Sequence, residues 1–471
     1  MPDIRRIFVA NRGEIAIRVI RTCRNLGIET VVATSTIDRF SMPAMMADRS
    51  ICVGGDAPGA SYLQAGALIA AALASNCDAV HPGYGFLAES QDFARLCQEN
   101  GLIFIGPRAE LLELFGNKVA ARGLAVEAGI SVLPGTGLIT EIAEARAAAA
   151  AMGYPVLAKG VAGGGGKGMH IIEDEAHLAR LLALARAEVG SAFHDSGIYL
   201  EKFVRNARHV EVQVVGDSHG HVIHLGDRDC SVQRRYQKLV EEAPAPNLPQ
   251  AIREQLHGAA LDLCSAAELD NVATAEFLVD TEERAVYFLE VNPRIQVEHG
   301  VTELITGFDI VALQIRAASG ADLGISQDDV QFTGCAVEVR LNAESPMRDF
   351  QPSPGRITAW RMPTGGHVRV DTHCYPSYLV PPFYDSLLAK LLTVGVDREA
   401  ARRSMLSCLE RLDVRGVDTT REILQCIIGH PDFIAVSHST GWLDAALQQI
   451  IRKPCLAGAG LTGESRRDER G

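Results

Sequence analysis

Strand and helix patterns alternate along the first third of this 471-residue chain. Strand-like apolar runs lie at residues 7–10, 30–34, 79–80 and 103–105. Between the first two runs, apolar side chains recur at helical spacing from Ile15 to Leu26, and Gly27 ends that helix. Because such strand–helix–strand units build a parallel sheet covered by helices, we predict an α/β fold here.

The pattern changes twice further along the chain. After Gly116, two helix patterns lead to strands at 154–159 and 169–172, and from about Gln331 the strands become short. A chain of this length needs more than one core, and roughly two to four domains are expected. The tail after Leu456 is glycine-rich and then charged, and we expect it to be disordered.

Composition argues against several classes of protein. The formal net charge of −13 disfavours a nucleic-acid or anionic-membrane binder. The most apolar helical stretch, residues 66–74, is too short to cross a bilayer, and the amino terminus lacks the apolar run of a signal peptide. The 11 cysteines include no C-x-x-C pair, so we expect reduced thiols in a cytoplasmic protein rather than a disulfide or zinc framework.

The most informative segment is a predicted hairpin with strands at 273–279 and 285–292. When the chain folds back at its polar turn, Glu276 lies roughly opposite Glu290. Like charges in facing positions destabilise a sheet, so a positive group is expected between them. Glu290 and Asn292 share one face of their strand, and their oxygens are the hard ligands that Mg²⁺ or Mn²⁺ prefers when it bridges phosphates.

The polar face continues through Arg294, Gln296 and Glu298 if the chain stays extended, although Pro293 favours an exit loop there. A solvent-exposed polar face is the ordinary explanation of such alternation. It does not explain why amides, a guanidinium and carboxylates accumulate on one face, an array that is costly to bury. We therefore favour a functional site.

A glycine-rich stretch at 163–168 separates two predicted strands. It is neither a Walker phosphate loop nor a dinucleotide-binding fingerprint, because a strand follows it and no Ser or Thr follows its lysine. A glycine hairpin tip can close over phosphates through backbone N–H groups, and Lys159 before it would supply a positive charge. Glycine-rich loops are also flexible linkers, so the loop alone favours nucleotide binding only slightly.

Residues 228–238 form a cationic cluster within an acidic protein. Charge runs are usually solvated surface turns. The position of this one between strand patterns predicts an ordered loop instead, for which an anion such as bicarbonate or phosphate is a natural guest.

These motifs together resemble those of the biotin carboxylases, which are ATP-grasp enzymes. The matching motifs are ANRGEIA at 10–16, HPGYGFL at 81–87, the glycine loop, RDCSVQRR at 228–235, EEAPAP at 241–246, NPRIQVEH at 292–299, EVRLNAE at 338–344, PSPG at 352–355 and YDS at 384–386. The resemblance covers about residues 4–450. It implies a three-part α/β fold: an N-terminal parallel α/β domain at 1–116, an ATP-grasp domain at 117–330 with a mobile lid at 134–204, a C-terminal α+β domain at 331–450, and a disordered tail at 451–471.

The resemblance also implies roles for individual residues. ATP would be bound by Lys118, Lys159, Gly165, Gly166, Glu201, Lys202, Phe203, Val204, His209, Gln233, Tyr236, Glu276 and Glu290. Metal ions would be held by Glu276, Glu290 and Asn292, bicarbonate by Lys238, Arg294, Gln296 and Val297, and biotin by Tyr84 and Arg340. The catalytic residues would be Lys238, Arg294, Glu298 and Arg340.

The implied reaction uses ATP, with Mg²⁺ or Mn²⁺, and bicarbonate to carboxylate biotin. Glu298 would remove the bicarbonate proton as general base, and the oxyanion would attack the γ-phosphoryl group to give carboxyphosphate. Carboxyphosphate would decay to CO2 and phosphate, and the phosphate would take the N1′ proton of biotin. Arg340 would stabilise the enolate-like oxygen while the nitrogen captures CO2. Because carboxyphosphate is fragile in water, a closing lid is expected.

The sequence departs from the family pattern at two of these places. Tyr236 stands where many relatives carry His, which leaves the nucleotide contact at that position open. Gly300 replaces a Pro often found after the Val-Glu-His motif, and it loosens the turn after Glu298 without removing an acid–base group.

Two other functions remain open. A different ATP-grasp ligase, with an amine or carboxylate acceptor, would share Lys159, Glu276 and Glu290 but would not need Tyr84, Arg294, Glu298 and Arg340 together. A degenerate homologue could serve as a scaffold without catalysis, but apart from Tyr236 every implied catalytic residue is present.

The partners follow from what the chain lacks. It contains no Ala-Met-Lys-Met type biotinylation motif, so biotin is expected on a separate carrier protein. Carboxyltransferase subunits would then pass the carboxyl group on. Acetyl-CoA is the default acceptor, with pyruvate, propionyl-CoA and other acyl-CoA compounds as alternatives. The resemblance also implies a homodimer, with no nucleic-acid or membrane partner.

Overall fold

The computed structural model describes residues 4–161, 168–193 and 197–452. Across these three ranges, no helix has the length and apolar character needed to cross a bilayer.

The amino-terminal part is a five-stranded sheet covered by helices. Its strands are β1 (Arg6–Val9), β2 (Glu29–Ser35), β3 (Arg49–Gly54), β4 (Ala79–His81) and β5 (Ile103–Phe104). Its helices are α1 (Gly13–Asn25), α2 (Met42–Met46), α3 (Ala65–Ala74), α4 (Gln91–Glu99) and α5 (Ala109–Gly116). All pairs are parallel, in the order β3-β2-β1-β4-β5, which confirms the predicted parallel α/β sheet.

The strand order of this sheet reverses between β1 and β4, where ligands of open α/β sheets bind. The loops after these two strands meet there. Asn11 donates its side-chain N–H groups to the carbonyls of Pro82 and Tyr84, at 2.7 and 2.8 Å. The motifs at 10–16 and 81–87 therefore form one surface.

A small antiparallel sheet follows, with one helix before its first strand and another before its last strand. The elements are α6 (Lys118–Glu127), α7 (Ile142–Met152), β6 (Val156–Gly160), β7 (His170–Ile172), α8 (Glu175–Phe193) and β8 (Ile198–Lys202). The strand order is β7-β6-β8, and the alanine-rich α7 and α8 share an apolar core with it. The predicted strand–loop–strand hairpin at 154–172 is confirmed. Its tip, with Gly165 and Gly166, lies outside the described residues.

The rest of the chain builds an eight-stranded antiparallel sheet. Its central elements are β9 (Ala207–Gly216), β10 (Val222–Arg234), β11 (Gln237–Ala243), α9 (Gln250–Ala266), β12 (Val272–Asp280), β13 (Ala285–Asn292), α10 (His299–Thr306) and α11 (Ile310–Ala318). The later elements are β14 (Cys335–Asn342), β15 (Glu344–Ser345), β16 (Gln351–Pro352), β17 (Gly355–Arg356), β18 (Ala359–Arg361), β19 (Val368–Thr372), β20 (Leu379–Val380), β21 (Leu387–Gly395), α12 (Arg398–Arg411), β22 (Asp413–Arg415), α13 (Arg421–Ile428), α14 (Pro431–Ala435) and α15 (Trp442–Arg452).

The strand order of this sheet is β13-β12-β9-β10-β11-β14-β21-β19. The sheet is continuous across residue 330, because β11 pairs with β14 from Val240 and Val339 to Ala243 and Ala336. One sheet therefore carries side chains from both the central and the carboxy-terminal parts to one site.

The ordered loop predicted at 228–238 is wrong, because this segment is a β-hairpin. Strand β10 runs through Arg234, and β11 begins at Gln237. Arg235 and Tyr236 form the turn, with φ angles of 47° and 66°. Charged residues such as Arg228 and Asp229 are buried in β10, so the strand lacks the apolar pattern that marks a strand in sequence.

Candidate active site

A cavity of about 660 Å³ lies where the three parts of the chain meet. Its size falls in the range of small-molecule and cofactor sites. Most of the predicted site residues line it: Tyr84, Lys118, Lys159, His209, Gln233, Tyr236, Lys238, Glu276, Glu290, Arg294, Gln296, Val297, Glu298 and Arg340. The sequence prediction thus names residues from distant segments that the fold brings together.

Strand β9 supplies a charged face to the sheet beside this cavity. His209, Glu211 and Gln213 alternate with valines, and all three are buried. Arg228, which is fully buried on β10, pairs with Glu211 and donates to Gln213 at 2.9 Å. Because burial of a charge is costly unless it is paired, this face depends on matched cations and carboxylates.

Lys238 lies at the centre of that charged face. Its Nζ donates to Glu211 at 2.6 Å, to Glu276 at 2.9 Å and to Glu298 at 2.8 Å. Burial would lower the pKa of Lys238, but the three carboxylates raise it well above its ordinary value. Lys238 is therefore a permanent cation. It brings the positive charge of segment 228–238 to two carboxylates that line the cavity, Glu276 and Glu298.

The arginines of that segment fall into two groups. Arg234 and Arg235 turn away from the site and both pair with Asp349, at 2.6 and 3.1 Å. Arg228 stays with Lys238, because both contact Glu211. The predicted cationic cluster is therefore divided between the charged face of the sheet and the turn of the hairpin.

Glu298 is buried, and a cation holds each of its oxygens. Lys238 contacts Oε1, and Arg340 donates to Oε2 at 2.9 Å. Burial would raise the pKa of Glu298, but Lys238, Arg340 and Arg228 outweigh it and lower the pKa well below its ordinary range. The carboxylate is thus ionised at neutral pH, as a general base must be.

Arg340 bridges two carboxylates. Besides Glu298 it contacts Glu241, whose Oε1 accepts from its Nε at 2.7 Å. Burial raises the pKa of Glu241 to about 7 against the opposing charge of Arg340. Glu241 was not among the predicted site residues.

Glu276 and Glu290 are paired in register between β12 and β13, which confirms the predicted hairpin. Each carboxylate has its own protein partner instead of one shared cation. Glu276 contacts Lys238 and, at 3.0 Å, His209, while Glu290 lies 3.1 Å from Lys118. Burial would raise the pKa of Glu276, but Lys238 and His209 lower it well below its ordinary value.

Strand β13 ends at Asn292, so the residues after Pro293 lie on an exit loop as the sequence suggested. The loop still gathers its polar groups. Arg294 donates to Asn292 at 3.1 Å and to Gln296 at 2.8 Å, and it pairs with Glu89. Asn292 does not line the cavity, and its amide donates to Glu276 at 3.0 Å.

Among the described residues, the cavity lysines Lys118 and Lys159 each pair with one carboxylate. Lys159 lies 2.6 Å from Glu201, which also pairs with Arg122, and Lys118 pairs with Glu290. Burial would raise the pKa of Glu201, but the charge of Lys159 lowers it.

Residues 201–204 do not line the cavity in this arrangement. The backbone N–H groups of Lys202 and Phe203 donate to the carbonyls of Pro134 and Pro155, at 2.8 and 3.2 Å. The Lys202 ammonium is turned to the carbonyl of Gly153 at 2.9 Å. An adenine contact through Glu201, Lys202, Phe203 and Val204 therefore stays a prediction.

His209, Gln233 and Tyr236 line the cavity between its two ends. Gln233 lies 3.1 Å from His209 Nδ1, which orients the imidazole toward Glu276. Tyr236 is 38% exposed on the hairpin turn. The ring nitrogen of His209 and oxygens of Glu211 and Glu276 lie within 4.8 Å of one another, so these three residues could also hold a metal ion.

Tyr84 lines the cavity from the loop after β4, far in sequence from the hairpin residues. Its hydroxyl donates to Glu14, in the first turn of α1. Glu14 also lines the cavity and was missed by the sequence analysis. Local sequence patterns could not reveal these roles, because the partners of Glu14, Glu211 and Glu241 are distant in sequence. The one local signal was the alternation of Glu211 with valines along β9.

Comparison with known proteins places this geometry in a family. Residues 3–112 match the family model "Biotin carboxylase, N-terminal domain", 117–326 match "Carbamoyl-phosphate synthase L chain, ATP binding domain", and 338–445 match "Biotin carboxylase C-terminal domain".

Two curated relatives align with this chain over nearly their whole length. Biotin carboxylase 1 of Bacillus subtilis is 44% identical over 94% of this chain and 98% of its own length. Biotin carboxylase of Pseudomonas aeruginosa is 47% identical over 89% of this chain and 93% of its own.

A solved structure has the same fold. It is the biotin carboxylase domain dimer of the Hydrogenobacter thermophilus 2-oxoglutarate carboxylase, in complex with magnesium ADP, ADP and bicarbonate. It superposes with a TM-score of 0.93 at 42% identity, covering 96% of this chain and 99% of that one.

Proposed function

The chain belongs to the biotin carboxylase family, and we propose on that premise that it uses ATP and bicarbonate to carboxylate biotin held on a separate carrier protein. The observation that carries this proposal is Glu298, a buried and ionised carboxylate held in the cavity between Lys238 and Arg340. A base beside two cations suits the deprotonation of a small anion.

The cations that hold Glu298 also explain how its basicity is adjusted. Bicarbonate would take hydrogen bonds from Lys238, Arg294 and Gln296, which line the same cavity. As Lys238 turns to the new anion, its hold on Glu298 weakens and the pKa of Glu298 rises toward the working range. Glu298 then takes the bicarbonate proton, and the oxyanion attacks the γ-phosphoryl group of ATP, which gives carboxyphosphate with ADP as the leaving group.

Other lining residues would bind ATP and biotin. Lys118 and Lys159 would bind phosphate oxygens, and each would release its present carboxylate partner to do so. Tyr84 and Arg340 would orient biotin, and Arg340 stabilises negative charge on the ureido oxygen when N1′ loses its proton.

Glu276 and Glu290 fit a divalent cation, because two in-register carboxylates line the phosphate side of the cavity. When bound, Mg²⁺ or Mn²⁺ would neutralise charge on the transferring phosphoryl group. Asn292 supports this pair through its hydrogen bond to Glu276.

The function is tested by ATP hydrolysis with and without bicarbonate and free biotin. We expect phosphate release that requires bicarbonate, and carboxybiotin formation when biotin is added. ATP turnover that ignores bicarbonate but requires an amine or another carboxylate would identify a different ATP-grasp ligase. Nucleotide binding without any turnover would identify a scaffold.

The partners are proposed from the family and from the missing biotinylation motif. We expect a biotin carboxyl carrier protein, carboxyltransferase subunits and a homodimer, in the cytoplasm. Acetyl-CoA is the default acceptor, with pyruvate, propionyl-CoA or another acyl-CoA as alternatives. Co-purification with the carrier, followed by carboxyl transfer to a panel of these acceptors, distinguishes them.

A further inference from the structure

Lys390 is a buried cation that does not line the cavity but contacts two groups that do. It lies on β21 with no exposed surface. Its Nζ donates to the carbonyl oxygen of Val297 at 2.7 Å and lies 3.3 Å from Glu14 Oε1. Asp371, opposite it on β19, is 3.8 Å away.

The contact with Val297 fixes the peptide that leads directly into Glu298. Glu298 precedes α10, which begins at His299, so its backbone is a junction between the exit loop and a helix. Gly300 lies in the first turn of α10, where an added Cβ would come within 2.5 Å of the Leu392 side chain. The position of the Glu298 carboxylate therefore depends on tertiary contacts, and Lys390 supplies one of them.

The contact with Glu14 leads from the base to the biotin contact Tyr84. Glu14 is buried, and it accepts the hydrogen bond of the Tyr84 hydroxyl. The path from the base to the biotin end thus runs from the peptide before Glu298 through Lys390 and Glu14 to Tyr84. Each of the three parts of the chain contributes to it.

The charge of Lys390 is costly at this position. It is paired in register with Arg340 across β14 and β21, so two cations face each other inside the protein. Burial would lower the pKa of Lys390, but Glu14, Glu338 and Asp371 raise it. The lysine is therefore charged, and Asp371, whose pKa is lowered by Arg369 and Lys390, is an ionised carboxylate that offsets its burial.

We propose that Lys390 is a positioning residue that sets the general base Glu298 and the biotin contact Tyr84 in one common arrangement. This inference rests on the proposed function. It assigns Lys390 no contact with substrate. Its effect passes through the Val297 carbonyl on one side and through Glu14 on the other.

The test compares Lys390→Met, Lys390→Arg and Glu14→Gln by steady-state kinetics. Lys390→Met is expected to lower kcat by about tenfold or more, since a small misplacement of the general base slows the proton transfer, and to raise KM for both bicarbonate and biotin. KM for ATP should change by less than about twofold, because Lys118 and Lys159 have other partners. Glu14→Gln should raise KM for biotin alone. Lys390→Arg, which keeps charge and donors, should recover most of the bicarbonate KM.

Arg398→Met provides the matched control. Arg398 is a partly buried cation of the same region, and it holds Glu242 rather than a cavity residue. Its loss should lower the melting temperature and leave all three KM values unchanged. If Lys390→Met does not fold, Lys390→Gln, which keeps an N–H donor, takes its place with the same split of KM values expected.

Two outcomes are kept apart by this design. Folded Lys390 variants with wild-type KM for bicarbonate and biotin would overturn the positioning role, even if they are less stable. A wild-type enzyme whose ATP hydrolysis does not depend on bicarbonate would overturn the proposed function instead.

Discussion

The two ends of the cavity keep their charges in different ways. At the base end, Lys238 contacts three carboxylates and Arg340 contacts two. At the phosphate end, Lys118 pairs with one carboxylate among the described residues, Glu290, which is 32% exposed, whereas the buried Glu201 holds both Lys159 and Arg122. The base end is therefore a network that stays in place when one partner moves. The Lys118–Glu290 pair, in contrast, is isolated, and a ligand can separate it.

The difference indicates which part of the site is formed before substrate arrives. A multiply paired, buried network is costly to rearrange, so the geometry around Glu298 is preorganised. An isolated and partly exposed ion pair such as Lys118–Glu290 contributes little stability, so its exchange for phosphate oxygens costs little. The four predictions that follow test this contrast.

The largest effect is expected from Glu298→Gln. Loss of the general base should lower bicarbonate-dependent turnover by about 10²–10⁴-fold. Phosphate release with and without bicarbonate measures it. Glu242→Gln, which changes a buried carboxylate paired with Arg398 outside the cavity, should keep bicarbonate dependence. Equal losses in both variants would deny Glu298 its role.

Lys238→Met should cost the most stability. Its removal leaves Glu211, Glu276 and Glu298 facing one another without their shared cation, and we expect a loss of about 3–5 kcal/mol in the free energy of unfolding. Denaturant unfolding measures this loss. Adding Glu211→Gln should recover part of it, and failure to recover any would contradict the shared network.

Lys118→Met should separate binding from stability at the phosphate end. A hydrogen bond to a charged group contributes about 1.5–3 kcal/mol, so KM for ATP should rise by about tenfold or more. The unfolding free energy should change by less than about 1 kcal/mol, because the Glu290 pair is partly exposed. Arg146→Met, in an exposed pair with Glu175, should alter neither quantity. A stability loss as large as that of Lys238→Met would erase the contrast.

The smallest effect is the acid dependence of stability. The folded-state pKa values of Glu276 and Glu298 lie below the value of about 4.3 in an unfolded chain. The unfolded chain then binds more protons, so this stabilisation is complete above about pH 4.3 and is lost as the pH falls below it. Glu298→Gln should make that slope shallower, while the exposed Glu173→Gln should not. The test measures the unfolding free energy of both variants between about pH 3 and 6, a range chosen around the ordinary pKa of a glutamate.

Local patterns predicted much of this architecture. The alternation of strands and helices predicted the parallel sheet, and the hairpin periodicity placed Glu276 opposite Glu290. What periodicity could not show is which strand lies beside which. The link of Glu298 to Arg340 depends on β11 pairing with β14, and the link of Tyr84 to Glu14 depends on the switch point between β1 and β4.

The basic hairpin shows why the local patterns fail in places. A strand whose charged residues are buried among partners on neighbouring strands has no apolar periodicity, so the part of β10 from Arg228 onward was predicted as a loop. The segment at 201–204 illustrates a second limit. Its N–H groups were assigned by resemblance to adenine, but those of Lys202 and Phe203 donate to backbone carbonyls in this conformation.

The continuous eight-stranded sheet has a consequence for anyone who cuts or transplants this protein. A fragment that stops near residue 330 would strip β14 from β11 and leave an unpaired strand edge, which invites aggregation. It would also discard Arg340 and Lys390, whose partners remain behind. The two segments that match separate family models are thus one structural unit, and chimaeras should exchange them together.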